Sequence, residues 1–120
     1  YEILIGLVGS EMCIRDSYII LSGLPASQGL YGFASLFLIM NYLTDSVTML
    51  QAAAIFGLGI LVGLVNFFSS YRQGQLCANG IAAVGNGHDV GTKTLILAAF
   101  PELYGILTVA ITFLVTGLMK

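Results

Sequence analysis

The chain has no tryptophan, a single histidine and only two prolines, and charge is its scarcest property, with four lysines and arginines and six acids among 120 residues. Four basic residues cannot build a surface that holds a phosphate backbone, so nucleic-acid binding is excluded. The two cysteines, Cys13 and Cys77, lack the spacing of metal ligands and read as packing residues. There is also no glycine-rich loop followed by Lys-Ser or Lys-Thr, so no ATP chemistry is expected in this chain. What is abundant is apolar: 58% of residues are hydrophobic and the mean hydropathy is +0.95, outside the range of soluble domains. Lipid is the expected solvent.

The placement of the few charges is more informative than their number, because a helix needs about 20 consecutive apolar residues to cross the hydrocarbon. Residues 18–44 carry no charge, residues 46–71 carry none, and residues 94–119 carry only Glu102. Runs this long, without two-residue alternation, favour helices over barrel strands, since backbone groups in lipid must pair within their own segment. The expected fold is therefore all-α, with transmembrane helices at about 18–44, 46–84 and 92–119. Thr44, Asp45 and Ser46 supply the first break, and Gly85 to Asp89 the second. Both links are short, so neighbouring helices run antiparallel. Gly57, Gly59 and Gly63 remove side-chain bulk from the middle helix and predict close helix packing.

Residues 1–17 depart from this pattern. Ten mostly apolar residues are followed by Glu11, Arg15 and Asp16 within six positions, leaving a run too short to span. A secretory signal has the reverse order, with positive charge before the apolar run. Gly9 to Ser17 is similar to translated adapter sequence, and the segment reads as atypical and artefactual beside the domain at 18–120.

A carboxylate in the middle of a spanning helix costs about 2.5–3.5 kcal/mol on insertion scales, which makes Glu102 the first candidate for function. It stands eight positions past Thr94, about 12 Å into the helix at 1.5 Å per residue. In an antiparallel hairpin, residues equidistant from the turn share a level. Gln73 and Glu102 do so, since their midpoint falls between Gly87 and His88. On the first helix Leu24, Ser27, Gln28 and Tyr31 follow i, i+3, i+4, i+7 spacing and occupy one face, three of them with a side-chain oxygen. Pro25 and Pro101 lie beside this cluster and free the carbonyls of Leu21 and Leu97. The competing reading is structural: the amides glue helices together, Tyr31 marks the membrane interface, and Glu102 pairs with Arg72.

Leu30-Tyr31-Gly32 recurs as Leu103-Tyr104-Gly105, 73 residues later, with a proline upstream of each copy. A duplicated hairpin gives this pattern, with Gly29 in the first copy where the second has Glu102. Residues 18–120 resemble subunit K of the V-type ATPase and ATP synthase proteolipid family, a duplicated four-helix rotor-ring protein with one carboxylate. The resemblance rests on Leu24 to Phe33 (LPASQGLYGF), on Gln73-Gly74-Gln75 through Asn79-Gly80-Ile81, and on Phe100 to Ile106 (FPELYGI). The glycine-rich first helix of that family has no counterpart in residues 1–17, so three of its four helices are recognisable.

The resemblance implies that Glu102 is the ion-carrying carboxylate. It also implies that the Leu24 carbonyl, Ser27, Gln28, Gln73 and Glu102 form a Na+ site, with Tyr31 holding the glutamate closed. The transported ion would be Na+ or H+, with no other cofactor. The implied partners are further copies of the chain in a ring, a membrane stator subunit and a central-stalk subunit, in a prokaryotic plasma membrane. Outside the resemblance, two other readings stand: a structural membrane protein whose glutamate orders helix packing, and a small secondary transporter. The second requires inverted repeats, whereas this repeat runs parallel.

Overall fold

The structure, a computed structural model, describes residues 14–119. Three antiparallel helices, each long and apolar enough to cross a membrane, make up the fold: α1 over Ile14–Met40, α2 over Met49–Gly85 and α3 over Gly91–Leu118. The chain is an integral membrane protein. At 37 residues, α2 is about 55 Å long and outruns the bilayer core by a wide margin.

Local chemistry accounts for the helix ends and for small differences from expectation. α1 stops at Met40 rather than at residue 44, where Asn41 caps the last turn by donating from Nδ2 to the Phe37 carbonyl at 3.2 Å. α2 starts at Met49 rather than at residue 46 because Thr48 and Gln51 form a capping box, each side chain bonded to the other's backbone N–H. Gly87 has φ +89°, the left-handed conformation that lets the chain reverse between α2 and α3. At the other end, α1 continues back through Ser17 to Ile14, so residues 14–17 are part of the helix. The Ser17 hydroxyl lies 2.8 Å from where a Cβ on Gly91 would stand. The remainder of the segment set apart in the sequence, residues 1–13 with Cys13, lies outside the described residues.

Burial on α2 falls on Leu58, Val62, Asn66, Ser69, Gln73, Cys77, Gly80 and Val84, a single stripe at three- and four-residue steps. On α3 it falls on Thr94, Ala98, Gly105, Thr108, Thr112 and Thr116. The interior is consequently more polar than apolar, with nine polar side chains among the described buried residues against seven hydrophobic ones. In lipid this ordering is reasonable, because apolar contact between helices gains little over contact with acyl chains. Thr108, Thr112 and Thr116 each return their hydroxyl to a carbonyl three or four residues earlier, at 2.6–2.8 Å. The cost of burying them is met within α3 itself.

Two apolar clusters bracket the polar layer. Leu21, Cys77 and Ala98 close it on the side of the α2–α3 turn, and Ile39, Leu58 and Val62 close it on the other. Close backbone approach occurs where Gly80 faces the Thr94 side chain, leaving no room for a Cβ. Gly57, Gly59 and Gly63, expected to serve that purpose, have nothing within 4 Å of the Cβ position and face outward. They mediate no contact within the described chain.

Candidate ion-binding site

The polar layer draws different groups from each helix: α1 contributes hydroxyls and an amide, α2 amides, and α3 the carboxylate. Gln73 is fully buried and Gln28 is 3% exposed, whereas Glu102 is half-buried. Pro25 sits in a short 3₁₀ turn at Leu24–Ala26, a position that needs no N–H from the ring. The turn gathers oxygens, with the Ser27 hydroxyl 2.7 Å from the Leu24 carbonyl and 3.4 Å from Gln28 Oε1.

From there the hydrogen bonds run in one direction towards Glu102. Gln28 Nε2 donates to Gln73 Oε1 at 2.6 Å, and Gln73 Nε2 donates to Glu102 Oε2 at 2.7 Å. The Tyr31 hydroxyl donates to the other oxygen, Oε1, at 2.5 Å. Each carboxylate oxygen therefore holds one donor, which leaves about two of the four lone-pair sites open. Gln73 turns its nitrogen to the acid and its oxygen to Gln28. In this state it supports the negative charge as a donor and offers Glu102 no competing acceptor.

Tyr31, Gln28, Gln73 and Glu102 thus form one connected network drawn from three helices, with Ser27 and the Leu24 carbonyl adjoining it through Gln28. The expected carbonyls of Leu21 and Leu97 accept no side-chain bond among the described residues. The prolines contribute through their own carbonyls: Ser69 donates to Pro101 and Ser70 donates to Pro25, the latter at 3.1 Å. Ala98 supplies a further carbonyl to Gln73 Nε2 at 3.2 Å. A proline carbonyl is as good an acceptor as any, and a serine on the neighbouring helix reaches it more easily than the freed carbonyl a turn away.

Sequence reasoning missed Ser69 and Asn66. Ser69 also receives a long bond from Gln28 Nε2 at 3.4 Å, and Asn66 donates to the Val62 carbonyl and to Thr108 Oγ1. Both precede Gln73 at four- and seven-residue steps, so extending the polar face of α2 back from Gln73 would have found them. Arg72, by contrast, reaches Gln75 Oε1 at 3.4 Å with its guanidinium rather than Glu102, and Gln75 in turn bonds Tyr71. Arg72 is exposed, and its stem borders an apolar groove between α2 and α3 with Leu64, Phe68, Phe100 and Tyr104. The pairing of Arg72 with Glu102 is not formed.

Chemically, the site offers one carboxylate and several neutral oxygens, without three His, Cys, Asp or Glu side chains grouped together among the described residues. That donor set suits a hard monovalent cation or a proton better than a transition metal. Apolar clusters lie above and below the site along the bundle, and Glu102 is half-buried between them.

Residues 47–115 match the family model of the ATP synthase C subunit, a stretch that contains Gln73 and Glu102. Over 96 residues the chain is 36% identical to a V-type sodium ATPase subunit K from Enterococcus hirae, covering 80% of the chain and 62% of that protein. Over 116 residues it is 28% identical to an A-type ATP synthase subunit K from Methanocaldococcus jannaschii, covering 97% of the chain and 52% of that protein. The chain thus spans between half and two thirds of the length of these relatives. No solved structure gives a significant match.

Proposed function

Because the chain belongs to the ATP synthase C-subunit family, we propose that it serves as an ion-carrying rotor subunit of a rotary ATPase, with Glu102 loading one cation at mid-membrane. The observation that carries this reading is the convergence of Tyr31 and Gln73 on the two oxygens of a single acid inside a spanning helix. A bare carboxylate is costly there, and loading neutralises it. The site then crosses a lipid-facing arc in its neutral form. At a stator it opens laterally, exchanges its ion and couples the gradient to rotation.

Sodium is the favoured cargo. The Leu24 carbonyl, Ser27 Oγ and Gln28 Oε1 already lie together on α1, and they replace the water of a cation as oxygen dipoles beside Glu102. Gln73 completes the set when its amide rotates to present Oε1. A proton needs none of these oxygens, and one of the relatives is a sodium ATPase subunit. The remaining partners of this reading are further copies of the chain, a stator subunit and a central-stalk subunit.

The test is chemical labelling of Glu102 by a carbodiimide in membranes containing the assembled protein. Sodium chloride is expected to slow labelling, and Glu102→Gln to abolish ion flux while rings of normal size persist. Labelling indifferent to sodium counts against the sodium assignment. Rings that fail to form in Glu102→Gln favour the structural role of the glutamate over transport.

A further inference from the structure

Glu102 and Gly105 stand three residues apart on α3 and so share a face, and Tyr31 lies across both. Its hydroxyl is on Glu102, while its ring covers Gly105 so closely that a Cβ there would fall 2.6 Å from Cδ2 and 3.0 Å from Cε2. Those distances are well inside van der Waals contact, and a ring edge packed between helices is not the far end of a flexible chain. The same point lies 3.2 Å from Asn66 Oδ1, a buried oxygen with no hydrogen-bond partner among the described residues. Asn66 is held from its other end, through the bonds of its Nδ2 to Val62 and Thr108. The ring of Tyr31 thus rests on a backbone surface at Gly105, and Asn66 of α2 is fixed against the same spot.

We infer that Gly105 is a positioning residue for ion occlusion: its missing side chain is the slot that lets Tyr31 close over Glu102, with Asn66 as the rear wall. This rests on the reading of Glu102 as the ion carrier. Filling the slot by one methyl group meets the ring first and displaces it, and with it the hydroxyl, with Asn66 Oδ1 the next atom reached. The phenol bond to a carboxylate is charge-assisted and directional, so a shift of this size breaks it.

The experiment measures carbodiimide labelling of Glu102 in assembled protein as sodium chloride is raised. Gly105→Ala is expected to speed labelling and to raise the half-protecting sodium concentration by about tenfold, the size expected for losing one hydrogen bond to a charged group. Tyr31→Phe is expected to do the same, and Gly105→Ala with Tyr31→Phe to add nothing further, because both remove the same bond. Normal protection in Gly105→Ala, or additive effects in the pair, overturns the inference while leaving Glu102 as carrier if the wild type is labelled and protected. An unlabelled wild type removes the underlying reading and the inference together. Should Gly105→Ala fail to assemble, Gly105→Ala with Tyr31→Ala separates the causes: restored assembly places the clash at the Tyr31 ring, and continued failure places it elsewhere and overturns the slot.

Discussion

Gln73 illustrates how much of the site depends on one buried side chain. Its amide is fully enclosed, donates to Glu102 and to the Ala98 carbonyl, and accepts from Gln28. Replacing it by leucine keeps the volume but takes a hydrogen bond from each of three polar partners, one of them the carboxyl group of Glu102. A hydrogen bond to a charged group contributes about 1.5–3 kcal/mol. Gln73→Leu is therefore expected to raise the half-protecting sodium concentration in the labelling assay by about tenfold or more, with a larger effect than Ser27→Ala, whose hydroxyl has a nearby carbonyl as alternative. Equal effects would mean that Gln73 acts only as packing. At this scale the sequence was most readable where it placed a cost: a lone acid in an apolar run names itself, and hairpin arithmetic names its partner. The orientation of the amides was not legible, because which end of Gln73 faces the acid depends on which neighbours lie within hydrogen-bond reach. Nor were Ser69 and Asn66, whose short polar side chains look ordinary until a neighbouring helix presents a carbonyl or a threonine.

The helices themselves were legible because lipid leaves the backbone one choice over runs of this length. Their ends were less so, since capping by Thr48, Gln51 and Asn41 is decided by single hydrogen bonds rather than by hydropathy. The glycines were the least readable feature, as composition cannot say which side of a helix meets a neighbour. At Gly80 the α3 helix comes within contact of the backbone through Thr94, whereas Gly74, less than two turns away, has open space around it. Overpacking a tight contact costs about 1–3 kcal/mol. Gly80→Leu is thus expected to separate the ends of α2 and α3 nearest the turn and to lower the thermal midpoint in detergent, while Gly74→Leu, with open space for the side chain and a better helix former in place, does not lower it. A loss of stability in both would show that leucine is costly on this helix even without the Thr94 contact, since leucine is the better helix former at either position.

For the whole molecule, the distribution of small residues argues that three helices are not the finished packing unit. A polar interior with an apolar exterior satisfies lipid, and nothing in that arrangement calls for glycine on the outside. Yet Gly57, Gly59 and Gly63 lie outward on α2 with no atom near the Cβ position, and each costs about 1 kcal/mol in helix stability relative to alanine. Bare backbone on a lipid-facing helix is useful where another helix comes to within backbone distance. In a ring of chains such a surface lies against a neighbour or a further helix, and Gly59 and Gly63, one turn apart, present a common face to it. Gly59→Leu is accordingly expected to leave the Tyr31–Glu102 and Gln73–Glu102 bonds in place, since no residue of the site is near, and to reduce the yield of large assemblies on native gels by several-fold. Phe56→Leu, at an outward side chain that is already large, is expected to leave the yield unchanged. Assemblies of normal size and yield in Gly59→Leu would show that this face of α2 looks onto lipid and that the chains of a ring meet through α1 or α3 instead.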